Sequence, residues 1–138
     1  LTTVGSWVDI DDWTFAVSDV GKLIARVHCS ATFNKAGGND PAAEFVDYWM
    51  RLEAAVPGEG TQGVITQLSC VLATPNSSSF GTQNDHTLVL PPDWFSARSA
   101  GNATFTLSAR INSRDSVGIH NSGITFGRPY IEVFELMR

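Results

Sequence analysis

The amino-acid sequence predicts an all-β fold, an antiparallel sandwich or barrel of about eight strands. Apolar and polar residues alternate through KLIARVHCSATF at 22–33 and ATFTLSARI at 103–111, which is typical of strands with one face in a core. Segments rich in Gly, Pro, Asn and Ser separate such stretches at short intervals. No segment has a convincing helical period, so the pattern favours an all-β architecture.

The first half of the chain contains four predicted strands. Residues 6–17 are aromatic and β-branched, with a polar break at Asp11–Asp12. Residues 22–33 place alternate small apolar side chains on one face. Residues 43–55 fit helix or strand, and we predict a strand because their aromatic residues follow a period of two. Residues 64–74 form the fourth strand. The intervening turn-rich segments are 34–41 and 56–63.

The second half of the chain contains four more predicted strands. Residues 86–95 form a short strand that Pro91–Pro92 stops. Residues 103–111 alternate well, whereas 117–126 form a weaker strand pair or a bulged strand. The closing strand, 129–137, has apolar residues on both of its phases, so we expect both faces to be buried. The separating turns and loops are 75–85, 96–102 and 112–116.

Composition indicates one folded domain over 1–138. Of its 138 residues, 43% are hydrophobic and 17% charged, which suits a single core. The net charge of −5, without a basic cluster, argues against nucleic-acid binding. No apolar run approaches the roughly 20 residues of a membrane span, and no signal peptide stands at the start. The initial Leu leads us to expect a fragment, a processed chain or part of a longer protein.

Motifs that carry chemistry are sparse. No nucleophile elbow, phosphate-binding loop or dinucleotide fingerprint occurs, and the three histidines have no zinc-ligand spacing. The sequence therefore predicts no catalytic residue, no metal and no cofactor. Cys29 and Cys70 each lie in an apolar run, and two buried thiols or a disulfide between neighbouring strands would fit. The candidate ligand-binding residues are four side chains in predicted loops or turns: Trp94, Phe95, Phe80 and His120. Trp94 could instead close the end of the sandwich as a lid.

The order of the strands resembles that of a known family. SWVDI at 6–10, GKLIARV at 21–27, ATFTL at 103–107 and a terminal YIEVFEL at 130–136 are similar to the TNF/C1q-like jelly-roll domains of tailed-phage fibre tips and capsid decoration proteins. The resemblance implies an antiparallel jelly-roll sandwich that forms a homotrimer. Its inner sheet would hold the first, third, sixth and last strands against the threefold axis.

The resemblance also implies an interface and a function. The interface residues would be Phe45, Trp49, Tyr130 and Phe134, although the second face of 103–111 is more polar than a tight axis would need. The function would be that of a non-enzymatic virion surface protein. Its partners would be other virion proteins or a host-surface glycan, without membrane insertion. A monomeric carbohydrate-binding module of a larger secreted enzyme is the alternative. The closing strand contains two acidic residues, Glu132 and Glu135. We expect at least one of these side chains to pair with Arg51 or Arg110, or to reach solvent.

Overall fold

The computed structural model describes residues 5–34, 44–72, 81–114 and 123–136, and the regular structure in these ranges is β-strand apart from one short helix. The strands are β1 (Val8–Val17), β2 (Lys22–Asn34), β3 (Glu44–Val56), β4 (Gly60–Leu72), β5 (Gly81–Leu90), β6 (Gly101–Arg114), β7 (Gly123–Phe126) and β8 (Tyr130–Leu136). A 3₁₀ helix at Pro92–Phe95 connects β5 to β6. No helix in the described ranges is long and apolar enough to cross a membrane.

The eight described strands form two antiparallel sheets. Sheet A has the order β1-β6-β3-β4, and sheet B has the order β5-β2-β7, with β8 also pairing with β2. β7 pairs with residues 31–34 of β2 and β8 with residues 22–28, so the two short strands continue one another along one edge. The run from β3 to β6 is a Greek key, because β6 returns to lie beside β3. The predicted antiparallel sandwich of about eight strands is confirmed.

The core lies between the sheets and is built from the inward phase of each strand. Alternation in β2 and β6 is confirmed, and their buried residues are Leu23, Ala25, Val27, Cys29, Ala31, Ala103, Phe105, Leu107, Ala109 and Ile111. β3 buries Tyr48, Met50 and Leu52, which confirms the strand over its helical alternative. Removing apolar area from water stabilises such a core by roughly 25 cal/mol per Å².

Several strand boundaries differ from the prediction. β1 runs through Asp11 and Asp12 without ending, because its register with β6 shifts at Asp9–Asp11 and the strand absorbs the irregularity as a bulge. β5 begins at Gly81, inside the loop predicted at 75–85, and pairs with β2 from its first residue. Turn-rich composition did not reveal this pairing, because polar residues can occupy the solvent face of an edge strand.

A tight turn joins β3 to β4. Glu59 donates its backbone N–H to the Val56 carbonyl at 3.1 Å. Pro57 occupies the second position and Gly58 the third, where φ is +84°. This is the sequence pattern of a type II turn, which needs a residue that tolerates positive φ at the third position. β4 therefore begins at Gly60, well inside the predicted loop.

The last strand belongs to a different sheet from the one that the resemblance implied. β1, β3 and β6 do lie together in sheet A, but β8 pairs with β2 in sheet B. The expectation that the first, third, sixth and last strands share one sheet was therefore wrong. The physical reason is that β8 continues the line of β7 along β2. Apolar residues on both phases of a strand do not specify which sheet it joins.

Cys29 is a free and buried thiol, so the disulfide alternative was wrong for this residue. The strands beside it are β5, β7 and β8, whereas Cys70 belongs to β4 in the other sheet. Burial raises the pKa of the Cys29 thiol to about 11. The reactive thiolate is therefore scarce at neutral pH, and Cys29 acts as a small core residue.

A buried arginine holds one end of the sandwich together. Arg98 is only 4% exposed. Its guanidinium donates to four carbonyl oxygens at 2.5–3.1 Å and to one carboxylate at 3.3 Å, those of Ser18, Val20, Gly21, Phe95 and Glu135. All five guanidinium N–H groups thus have an acceptor, which is what a buried charge requires. The β1–β2 turn, the 3₁₀ helix and β8 are fixed at this one point.

Candidate functional site

A cleft opens on sheet B where the chain passes from β7 to β8. Cys29 and Ser30 of β2 lie between the residues that pair with β7 and those that pair with β8. Gly127 donates its N–H to the Ser30 carbonyl at 2.7 Å, whereas Pro129 has no N–H to continue the ladder. The interruption leaves a cleft of about 430 Å³. Its walls include His28, Ser30, Asp85, Thr87, Arg128 and Tyr130.

His28 is held at the cleft by both of its ring nitrogens. Nδ1 lies 3.0 Å from Thr87 Oγ1, and Nε2 lies 2.9 Å from Glu132 Oε2. In the neutral ring, Nε2 donates to the carboxylate and Nδ1 accepts from the threonine hydroxyl. Glu132 also forms an ion pair with Arg26. The imidazole is therefore fixed in orientation by its neighbours on β5 and β8.

Tyr130 forms the aromatic wall of the cleft. Its ring stacks on His28, with the centroids 4.7 Å apart and the planes inclined by 19°, a favourable arrangement for two aromatic rings. The residue is still 57% exposed, because only one face of the ring is covered. Asp85 and Arg128 add a carboxylate and a guanidinium to the cleft lining.

The two acids of β8 both pair with arginines, which confirms the kind of partner expected but not its identity. Glu132 pairs with Arg26 and Glu135 with Arg98, whereas the two arginines expected as partners lie in sheet A. The hydrogen bond from Arg26, and then that from His28, holds the pKa of Glu132 below its usual value of 4.5. Glu132 is therefore ionised at neutral pH.

The outer face of sheet A carries a second aromatic cluster, the Trp–Arg cluster, defined by Trp7, Trp49, Arg51 and Arg110. The Arg110 guanidinium lies 4.4 Å from the Trp49 ring centroid and 5.2 Å from that of Trp7. Arg51 lies 4.4 Å from the Trp7 centroid. Such cation–π contacts cover the ring of Trp49 with an arginine of its own chain. An apolar residue on the outer phase of β3 thus has a partner without a second subunit.

The residues predicted at a subunit interface do not share a face. Trp49 lies on the outer face of sheet A, whereas Tyr130 and Phe134 lie on that of sheet B, 57% and 45% exposed. Phe45 belongs to β3, but its side chain is outside the described part of the structure. These residues would meet in one trimer only if neighbouring subunits contact each other through different faces.

The ligand-binding candidates also have different outcomes. Phe95 is completely buried in the core, so its assignment as a ligand contact was wrong. The 3₁₀ helix turns its ring inward. Trp94, its neighbour, is 36% exposed, and its carbonyl accepts a hydrogen bond from Gln62 at 3.2 Å. Phe80 and His120 lie outside the residues that the structure describes.

Sequence reasoning missed the cleft itself. It places His28 on the polar phase of its strand as an ordinary surface residue, and it places Asp85 in a loop. The signal that was present is Gly127-Arg128-Pro129, a break directly before the closing strand. Which residues face that break depends on the register of β2 with β5 and β8, and register is set by tertiary pairing.

No family model, curated protein or solved structure matches the chain. Within the described ranges, no group of three or more His, Cys, Asp or Glu side chains could hold a metal ion. The cleft combines hydroxyl, carboxylate, guanidinium and aromatic groups, an arrangement suited to binding a polar organic ligand.

Acid should destabilise the fold through His86. The Tyr48 hydroxyl and His86 Nε2 share a hydrogen bond of 2.6 Å. Burial lowers the pKa of His86 below its usual 6.5, although the charge of Asp85 opposes this. The unfolded chain therefore binds a proton more readily than the folded chain, and stability falls as the pH drops below about 6.5.

Urea unfolding between about pH 7 and pH 5 measures this effect, a window in which the carboxylates of the unfolded chain remain mostly ionised. We expect the midpoint of the wild-type chain to fall on acidification. The His86→Gln variant keeps a polar side chain at this position without the titration, so its midpoint should fall less. Equal falls in the two proteins would show that His86 does not carry the effect.

Proposed function

We propose that this chain is a non-enzymatic structural domain of a virion surface, assembled as a homotrimer through the outer row of β8. The observation that carries the proposal is the exposure of Phe134 and Leu136, 45% and 53% respectively. We call these two residues, with their neighbour Ile24 on β2, the β8 patch. Ile24 pairs directly with Phe134 across the two strands.

Both phases of β8 are apolar, but only one of them is buried within the chain. Ile131 and Val133 pack against the core, while Phe134 and Leu136 point away from it. Among the described strands, β8 pairs with β2 and forms an edge of sheet B. An apolar edge strand that faces water is an unfavourable arrangement, which proteins avoid by covering the edge. A second copy of the chain would supply that cover.

The β8 patch presents more exposed apolar surface than the Trp–Arg cluster. Phe134 and Leu136 are exposed, whereas Trp49 is half-buried. Three β8 patches around one axis close without leaving a free surface. An arginine lies over each aromatic ring, Arg110 at 4.4 Å from the Trp49 centroid and Arg26 at 5.6 Å from that of Phe134, so the greater exposure of Phe134 is what separates the two surfaces.

The virion setting comes from the resemblance of the strand order to phage jelly-roll domains. In that setting the trimer would act as a fibre tip that binds a host glycan, or as a decoration protein that contacts other virion proteins. The net charge of −5 suits an exposed protein surface, since charge of one sign opposes non-specific association.

Substitutions in the β8 patch test the proposal. Phe134→Ser combined with Leu136→Ser should give a chain that elutes as a monomer in size-exclusion chromatography, because the apolar contact area is lost. Both residues are exposed, so the free energy of unfolding of the isolated chain should change by less than about 1 kcal/mol. The matched control is Ile65→Ser, at a residue 55% exposed on β4 in the other sheet.

We expect the Ile65→Ser variant to elute like the wild-type trimer. Equal elution of the control and the double variant, whether both are trimeric or both monomeric, would contradict assembly through β8. Circular dichroism on each sample separates loss of assembly from loss of fold.

A monomeric carbohydrate-binding module is the second candidate. The observation that favours it is the aromatic wall of the cleft, where Tyr130 is exposed beside polar side chains. The buried position of Phe95 argues against a platform built from Trp94 and Phe95 together. A chain that binds sugar while remaining a monomer at micromolar concentration would support this candidate over the trimer.

A further inference from the structure

We propose that the cleft between β7 and β8 binds a neutral carbohydrate, with one sugar ring stacked on the open face of Tyr130. This inference deepens the receptor-binding form of the proposed function and rests on it for its biological setting. It depends on a site that differs from the β8 patch, so assembly and sugar binding can be tested separately.

The geometry of the cleft suits one or two sugar rings. Its volume of about 430 Å³ lies within the range of roughly 300–1,000 Å³ of small-molecule sites. Tyr130 rests on His28, and His28 is held by Thr87 and Glu132 at 3.0 and 2.9 Å. An aromatic platform that is already ordered loses little conformational freedom when a ligand binds.

The polar groups match the chemistry of a sugar. Sugar hydroxyls both donate and accept hydrogen bonds, and one face of a pyranose ring presents C–H groups that pack on an aromatic ring. Asp85 supplies acceptors, Arg128 supplies donors, and the Ser30 hydroxyl can do either. Tyr130 supplies the ring. The four side chains converge on one cleft although they come from β2, β5, β8 and the segment before β8.

The charges favour a neutral ligand. The cleft lining contains one carboxylate, Asp85, and one guanidinium, Arg128, so a ligand meets charged groups of both signs. Glu132 beneath His28 is already paired with Arg26. A phosphate or other anion would meet the Asp85 charge as well as Arg128, and a divalent cation would find too few oxygen ligands among the described residues.

Assembly through the β8 patch would leave the cleft accessible. Tyr130 and Phe134 are four residues apart on one strand, a separation of roughly 13 Å. A neighbouring subunit that covers Phe134 and Leu136 therefore need not cover Tyr130. The exposed face of the Tyr130 ring then has a role distinct from that of the β8 patch.

Saturation-transfer NMR on the purified chain tests the inference. The probes are glucose, galactose, mannose and N-acetylglucosamine, with glucuronate and inorganic phosphate as anionic comparisons. We expect at least one neutral sugar to bind, with a Kd in the range of about 1 mM. Tyr130→Ala and Arg128→Gln should each raise that Kd at least about tenfold, as expected when an aromatic or charged contact is lost.

Two further variants make the test specific. Tyr130→Phe keeps the ring and should retain most of the binding, which separates stacking from a general disturbance of the cleft. Trp94→Ala removes an exposed aromatic residue of the 3₁₀ helix, outside the cleft, and should bind as the wild type does. Equal losses in the Trp94 and Tyr130 alanine variants would overturn the inference.

The remaining outcomes are also decisive. Binding of phosphate or glucuronate in preference to every neutral sugar would overturn the inference, and so would no binding by any sugar. Light scattering on the same samples separates this inference from the trimer. Sugar binding by a single chain would support the sugar site and contradict the trimer. A trimer that binds no sugar would support the trimer and overturn the sugar site.

Discussion

Replacing Arg98 with methionine should lower the free energy of unfolding by about 3–5 kcal/mol, the cost of breaking a buried ion pair. The substitution keeps a similar volume but removes the donor from four carbonyl oxygens. It also removes the cation paired with Glu135, whose carboxylate keeps only the hydrogen bonds from Ser18. Each buried acceptor that loses its hydrogen bond costs about 1–3 kcal/mol, and some of this loss is recovered when water enters. Urea unfolding, analysed with its slope, measures the change.

Two comparisons make the Arg98 experiment specific. Arg98→Lys keeps the charge but loses the planar array of five donors, so it should also be strongly destabilising. Lys22→Met removes a solvent-exposed ion pair with Asp93, 3.0 Å long. It should cost less than about 1 kcal/mol, as exposed pairs generally do. If Arg98→Met behaved like Lys22→Met, the arginine would not be holding the end of the sandwich together.

Phe105→Ala should cost about 3–5 kcal/mol, the range for removing a large aromatic side chain from a core. Phe105 is completely buried in β6, and its neighbours across the sheet are Trp13 of β1 and Ala54 of β3. Its ring packs edge-on against Phe15, with centroids 6.1 Å apart. The substitution therefore removes both transfer free energy and an aromatic contact, and thermal or urea unfolding measures the loss.

The conservative variant is the control for Phe105. Phe105→Leu keeps most of the apolar volume and should cost less than about 1.5 kcal/mol. A small loss for the alanine variant, comparable to that of the leucine variant, would indicate that the core can collapse around the missing ring. That result would show that the most tightly packed part of the core lies in a strand other than β6.

Local patterns predicted the strands because alternation is a local property. Leu23, Val27 and Leu107 are buried where their phase predicts, and the strand at β3 follows from its aromatic spacing. The break at Gly127-Arg128-Pro129 is likewise legible in the sequence. These patterns indicate whether each side chain lies on the inward or the outward face of its strand. That information is enough to predict the core residues.

Pairing between distant strands could not be predicted in the same way. The sheet that β8 joins, the partners of Glu132 and the meeting of His28 with Tyr130 all depend on register between segments about 100 residues apart. The pairing of Glu135 with Arg98 likewise joins segments 37 residues apart. Phe95 looked like a loop aromatic, and only the 3₁₀ helix shows that its ring points inward. The cleft is a product of such tertiary pairing, and so it has no local motif.

The central claim is that three copies of this sandwich assemble through β8. Sedimentation equilibrium of the purified wild-type chain at micromolar concentration tests it most directly. We expect one species with three times the mass of the 14.9 kDa chain. A mass that stays at that of the single chain across this concentration range would contradict it.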